Sequence, residues 1–156
     1  MQITSPSSSS YTLKAKSAAI TVNEHIQINE HPLPGPGEYE VSEVFAEVMP
    51  DLALFHADGL VVASLLNGKR TVTAEEVEHL EDVDILCLVA GSDSAADVDA
   101  IDKVVKDIEP RVVVIAGGDP ASYQKLEGHV PDAMPALKLT KSDLPEESRR
   151  VYVLAS

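Results

Sequence analysis

Leu60-Val61-Val62-Ala63-Ser64-Leu65-Leu66, Ile85-Leu86-Cys87-Leu88-Val89 and Val112-Val113-Val114-Ile115 are three short apolar runs rich in β-branched residues, and each gap between them reads as a helix. In the first gap Thr73-Ala74-Glu75-Glu76 has the form of a capping box: the Thr73 hydroxyl can accept from the Glu76 amide while Glu76 reaches back. Val77 and Leu80 follow on one face. In the second gap an N-cap at Ser94 precedes Val98, Ile101, Val104, Val105 and Ile108, whose spacings of three and four make one apolar stripe. Pro110 stops that helix, having no amide hydrogen to continue it. Near-continuous apolar strands joined by amphipathic crossovers imply neighbouring parallel strands covered on both faces.

Outward from this centre the pattern changes. Tyr11 and Leu13, Ile20 and Val22, Ile26 and Ile28, and Tyr39 and Val41 alternate with polar residues, with Pro and Gly between them, as in antiparallel hairpins with one covered face. Val151 to Leu154 supplies a last strand. Gly35-Pro36-Gly37 reads as an architectural turn, Gly giving conformational freedom and Pro stiffness. With 156 residues and no internal repeat, residues 1–156 are read as a single domain.

The charge of −14, from 26 acidic and 12 basic residues, repels phosphate backbones and anionic membrane surfaces. Nucleic acid and membrane are therefore excluded as expected partners. The single cysteine, Cys87, sits inside an apolar run and is read as a small buried hydrophobe. The opening Met1-Gln2-Ile3-Thr4-Ser5-Pro6 lacks a basic segment followed by an apolar one, and no apolar run has the length of a membrane span, so cytoplasm is the expected compartment.

Several strings, in order, resemble the small single-domain metallo-β-lactamase-fold proteins of the zinc-dependent hydrolase type. They are Met1-Gln2-Ile3-Thr4 with Ser9-Ser10-Tyr11-Thr12-Leu13-Lys14, the turn Gly35-Pro36-Gly37-Glu38-Tyr39-Glu40-Val41, and Asp58-Gly59-Leu60-Val61-Val62-Ala63. Leu80-Glu81-Asp82-Val83-Asp84-Ile85-Leu86, Val105-Lys106-Asp107-Ile108-Glu109-Pro110-Arg111-Val112-Val113-Val114 and Leu139-Thr140-Lys141-Ser142-Asp143-Leu144-Pro145 complete the set. The resemblance implies an α/β fold: a shortened αββα sandwich with mixed sheets and outer helices. It also implies a metal-activated hydroxide as nucleophile, which requires His and carboxylate ligands in quantity.

Those ligands are missing at the matching positions. The family's His-x-His-x-Asp-His loop is absent, because the chain runs from Ile20-Thr21-Val22 to Gly35-Pro36-Gly37 with no room for the usual helix and loop. Val48-Met49-Pro50-Asp51-Leu52 stands where the family has a lone His, Asn67 in Leu65-Leu66-Asn67-Gly68 at the bridging carboxylate position, and Gly117 at the last His. An amide oxygen is a much poorer zinc ligand than a carboxylate. No metal or other cofactor is expected.

Other candidates read as ordinary structure. His25 and His31, with Glu24 and Glu30, would lie about 20 Å apart in an extended segment, too far for one ion without a sharp bend. His79 sits among Glu76, Glu78 and Glu81 as a surface residue, and His56 and His129 lack ligand-type neighbours. Ala116-Gly117-Gly118-Asp119-Pro120 and Gly91-Ser92-Asp93-Ser94 are read as a strand-to-helix turn and a helix entry rather than phosphate loops. Ser9 or Ser92 as a nucleophile would need a His or Lys base that the sequence does not place.

The leading expectation is a non-catalytic, degenerate member of this fold acting as a structural or protein-interaction module, with itself or another protein as partner. A homodimer is the expected form, because losing the ligand loop and its helix should uncover Ile20, Val22, Ile26 and Ile28. The alternatives are a metal-dependent hydrolase with a displaced site, and a small-molecule or nucleotide binder using the turns at Gly91 and Gly117.

Overall fold

A computed structural model describes residues 1–7, 10–23, 25–66, 72–89, 98–117 and 120–154. Asn67, Gly91, the expected N-cap Ser94, and the serines Ser9 and Ser92 lie outside them.

The first sheet is antiparallel throughout. It contains β1 (Gln2–Ser7), β2 (Ser10–Lys14), β3 (Ala19–Val22), β4 (Ile26–Ile28) and β5 (His31–Leu33), joined at its edge by β13 (Ala136–Lys138) in the order β13-β1-β2-β3-β4-β5. The second sheet has eight strands. β6 (Gly37–Val41), β7 (Val44–Met49), β8 (Leu52–Ala57) and β9 (Leu60–Leu65) form an antiparallel meander, and β10 (Ile85–Val89), β11 (Val112–Ala116), β14 (Arg150–Leu154) and β12 (Asp132–Met134) continue it in parallel. The parallel half is the one expected from the apolar runs. β7 and β8 were not expected as strands, since Val48-Met49-Pro50-Asp51-Leu52 folds them into a tight hairpin whose Asp51 takes a left-handed φ of 59°.

Among the described residues three α-helices join the strands: α1 (Ala74–His79), α2 (Val98–Ile108) and α3 (Gln124–Glu127). The capping box at Thr73 and Glu76 forms as expected. On α2, Ile101, Val104, Val105 and Ile108 are buried against Leu86, Leu88, Val113, Ile115, Val151 and Val153 of the second sheet. After α2, Glu109 turns the chain with a φ of 55° ahead of Pro110.

The two packed sheets with outer helices are those implied by the resemblance. The described α-helices all pack on the eight-stranded sheet, making sheet, sheet and helix three successive layers. The outward face of the six-stranded sheet presents Gln2, Thr4, Thr12, Lys14, Thr21 and Gln27, so it is polar and stable in water without a helix above it.

This corrects one expectation. Ile20, Val22 and Ile28 are 0% exposed and Ile26 is 5% exposed, because they point between the sheets with Ile3, Tyr11, Leu13, Phe55 and Val62. The second sheet covers them, so they do not form an exposed patch. None of the described helices is long and apolar enough to cross a membrane.

Candidate functional site at the rim of the sandwich

The parallel strands β9, β10 and β11 all end at one rim, where Val89, Ala116 and Leu154 stand in one row across the sheet. Two backbone hydrogen bonds stitch it: Leu66 N donates to the Asp51 carbonyl at 2.9 Å, and Gly117 N donates to the Leu154 carbonyl at 3.0 Å. The carboxyl ends of parallel strands are the usual place for ligands in such sheets.

The link between the sheets opens onto the same rim. β5 ends at Leu33 and β6 begins at Gly37, so Pro34, Gly35 and Pro36 are the whole crossover. Gly37 then pairs with Val48, beside the Pro50-Asp51 turn. Tyr39 Oη donates to the Gly35 carbonyl at 2.6 Å and pins the crossover. His25 reaches this end too, at the turn after β3, where its amide donates to Asn23 Oδ1 at 2.8 Å.

The rim therefore holds Pro34, Pro36, Met49, Pro50, Asp51, Leu66, Val89 and Gly117, with Asp51 exposed on a left-handed turn. A zinc site asks for about four donors from His, Cys or carboxylate. Among the described residues no three such side chains converge anywhere. Gly117, buried with a φ of 84°, sits in a conformation that a histidine would adopt only under strain. The described residues of the rim do not by themselves supply the donor set of a catalytic zinc.

The other histidines are dispersed. His25 and His31 do share a hairpin, which supplies the sharp bend their pairing would need. The register sets His31 opposite Ile28, leaving His25 three positions along, about 10 Å away. His56 meets the edge of Phe45, with ring centres 5.7 Å apart. His79 Nδ1 lies 3.6 Å from Glu47, and His129 Nε2 3.5 Å from Glu127.

Deeper in, the sheets meet through a polar set that the sequence did not announce. Tyr11 of β2 hydrogen-bonds to Ser64 of β9, which stands beside Cys87 of β10 in the ladder. All three are 1% exposed or less. Burial pushes the Tyr11 hydroxyl well above its ordinary value, with Cys87 adding to the rise and the Ser64 hydrogen bond opposing it. Burial likewise holds the Cys87 thiol protonated to high pH, as expected of a buried hydrophobe.

No family model matches the chain, and no curated protein matches it by sequence. Its structure is similar to that of a Thermotoga maritima protein ascribed to the zinc-dependent hydrolases of the metallo-β-lactamase superfamily. The two superpose with a TM-score of 0.77 over 99% of this chain and 98% of the other, at 17% sequence identity. The chain thus has the metallo-β-lactamase fold over its whole length.

Proposed function

We propose that this chain is a metallo-β-lactamase-fold protein without zinc chemistry, working as a structural or protein-interaction module in the cytoplasm. The observation that carries this reading is the crossover Pro34-Gly35-Pro36 between the sheets. The resemblance places the loop bearing most of the metal donors between Ile20-Thr21-Val22 and Gly35-Pro36-Gly37, and here that span holds only the short strands β4 and β5 and the crossover, which Tyr39 fastens at Gly35.

The surface that best supports an interaction role is the end of the eight-stranded sheet at β6 and β7. Phe45 is 36% exposed there, the one large aromatic side chain among the exposed hydrophobic residues described. Glu38, Glu40 and Glu47 surround it on the ladder. A second copy of the chain, or a partner carrying basic residues, would suit such a face.

The test is elemental analysis of purified protein after equilibration with zinc, together with phosphodiester and lactam hydrolysis assays. Less than about 0.1 metal per chain and no zinc-dependent turnover are expected, since one complete site would register near one per chain. Stoichiometric zinc, or turnover abolished by a chelator, would overturn the reading in favour of a displaced hydrolytic site.

A further inference from the structure

The end of the sandwich opposite the rim holds a hollow of about 340 Å³. Lys14, Lys16 and Lys138 line it over a floor that includes Met1, Ala15 and Leu139. An adjoining hollow adds Lys141. Two features make this more than a scatter of surface lysines.

The first is charge distribution in a chain of net charge −14. Lys103, Lys106, Lys125, Lys141 and Arg150 each hold a carboxylate, and Arg149 holds the Leu126 carbonyl. Among the described residues Lys14, Lys16 and Lys138 form no ion pair, and they face the same hollow. Arg111, also without an ion pair, lies among Glu109, Glu146 and Glu147 instead.

The second is register. Gln2 pairs with Lys14 on one side and Lys138 on the other, so the two lysines flank it in one row, about 10 Å apart at the backbone. Like charges set two strands apart on one face are held together by the fold without a counterion from the chain. The acids of the hollow are already engaged. Asp58 lies 3.5 Å from the Met1 ammonium and accepts from the Lys16 amide at 3.1 Å, and Asp143 accepts from the Thr140 amide at 2.8 Å and hydroxyl at 2.9 Å.

We infer that this hollow binds a small phosphorylated molecule, with Lys14 and Lys138 gripping its phosphoryl oxygens from either side of Gln2 and Lys16 closing the third. Ammonium groups act as mobile point charges suited to phosphate oxygens. The chain's overall negative charge disfavours a long polyanion and favours a small one. The site is independent of the rim, at the opposite ends of β9, β10 and β11.

Calorimetric titration with inorganic pyrophosphate tests it, with sulfate at matched ionic strength and a single-stranded DNA oligonucleotide as comparators. One pyrophosphate per chain is expected, with a Kd below about 1 mM. The variant K14Q/K138Q should bind about tenfold or more weakly, having lost two charge-assisted contacts, while melting like the parent. Amide shifts in the parent protein supply a readout that does not depend on the variant folding: changes at Gln2, Ala15 and Leu139 support the site. No binding at about 10 mM, unchanged binding by the variant, equal binding of sulfate, tighter binding of DNA, or shifts centred on Gly117 would each overturn it.

Discussion

Lys141 Nζ sits 3.0 Å from Asp84 Oδ2 and 3.1 Å from Oδ1, closing with an exposed ammonium a carboxylate that is buried at the foot of β10. Asp84 Oδ2 also accepts from the Val61 amide at 2.9 Å, and its backbone carbonyl accepts from Arg111 and Val112. One residue thus ties β9, β10 and β11 to the closing segment.

Asp84 should matter far more than its partner. Asp84→Ala leaves the part-buried Val61 amide without its acceptor and should cost about 1–3 kcal/mol, whereas Asp84→Asn keeps an oxygen there and should cost about 1 kcal/mol. Lys141→Gln removes a mostly exposed charge and should cost about 0.5–1 kcal/mol. Urea midpoints at constant slope read the order directly. Equal costs for Lys141→Gln and Asp84→Ala would show that the ion pair, not the amide contact, is the fastening.

The Tyr11–Ser64 hydrogen bond is buried on both sides, so each hydroxyl depends on the other. Tyr11→Phe and Ser64→Ala should each cost about 1–2 kcal/mol, and the double variant should cost little more than either single one, a coupling of about 1 kcal/mol. Strict additivity in a double-mutant cycle would contradict this.

The same cluster sets an alkaline limit. Burial raises Cys87 above its ordinary 9.0 and Tyr11 above its ordinary 10.0. Both groups keep their protons in the folded chain after the unfolded chain has released them. Their contribution to stability is therefore whole below the ordinary values and is lost as pH rises beyond them. The loss should run at about 1.4 kcal/mol per pH unit for each group, starting with Cys87 near pH 9 and steepening near pH 10. Unfolding free energies measured across that range should flatten by one group's slope in Cys87→Ala. An unchanged profile in that variant would place the alkaline sensitivity elsewhere.

What could be read ahead of the structure was whatever depends on neighbours in sequence. The Thr73–Glu76 box, the α2 stripe and the alternation through Tyr11, Leu13, Ile20 and Val22 are local patterns with a single geometric solution. Alternation identifies a covered face but not what covers it. Ile20, Val22, Ile26 and Ile28 were matched to the vanished helix when they belong to the inter-sheet core. Lys14 and Lys138 are brought to one hollow only by the pairing of both with Gln2, and no local pattern encodes that meeting. At the rim the turn Gly35-Pro36-Gly37 was legible as a turn, but that it carries the chain from one sheet to the other was not.

Restoring side chains at the positions that the resemblance matches to metal ligands should not restore chemistry. The double variant Asn67→Asp with Gly117→His still lacks the donors of the His-x-His-x-Asp-His loop, so no zinc-dependent turnover is expected. Gly117→His alone should cost about 1–2 kcal/mol, because its φ of 84° disfavours a residue with a Cβ. Zinc-dependent hydrolysis by the double variant, or a Gly117→His protein as stable as the parent, would contradict these two expectations separately.

Self-association, if centred on Phe45, carries a definite salt signature. On the ladder Glu40 stands opposite Phe45 and Glu38 opposite Glu47, while His79 lies 3.6 Å from Glu47. A two-fold contact would bring two copies of this acidic surround together around the two aromatic rings. Apolar burial favours the contact by about 25 cal/mol per Å², and carboxylate repulsion opposes it over a screening length of about 8 Å at physiological salt. Raising the salt to about 1 M shortens that length to about 3 Å, so the dimer fraction should rise. Light scattering behind a sizing column should show a mass moving toward two chains as salt increases. Phe45→Ser should remain at one chain throughout and stay folded, losing about 1–2 kcal/mol with its partly covered ring and the His56 contact. A parent protein that stays at one chain in both salts, or a Phe45→Ser variant that associates equally well, would remove this face from consideration.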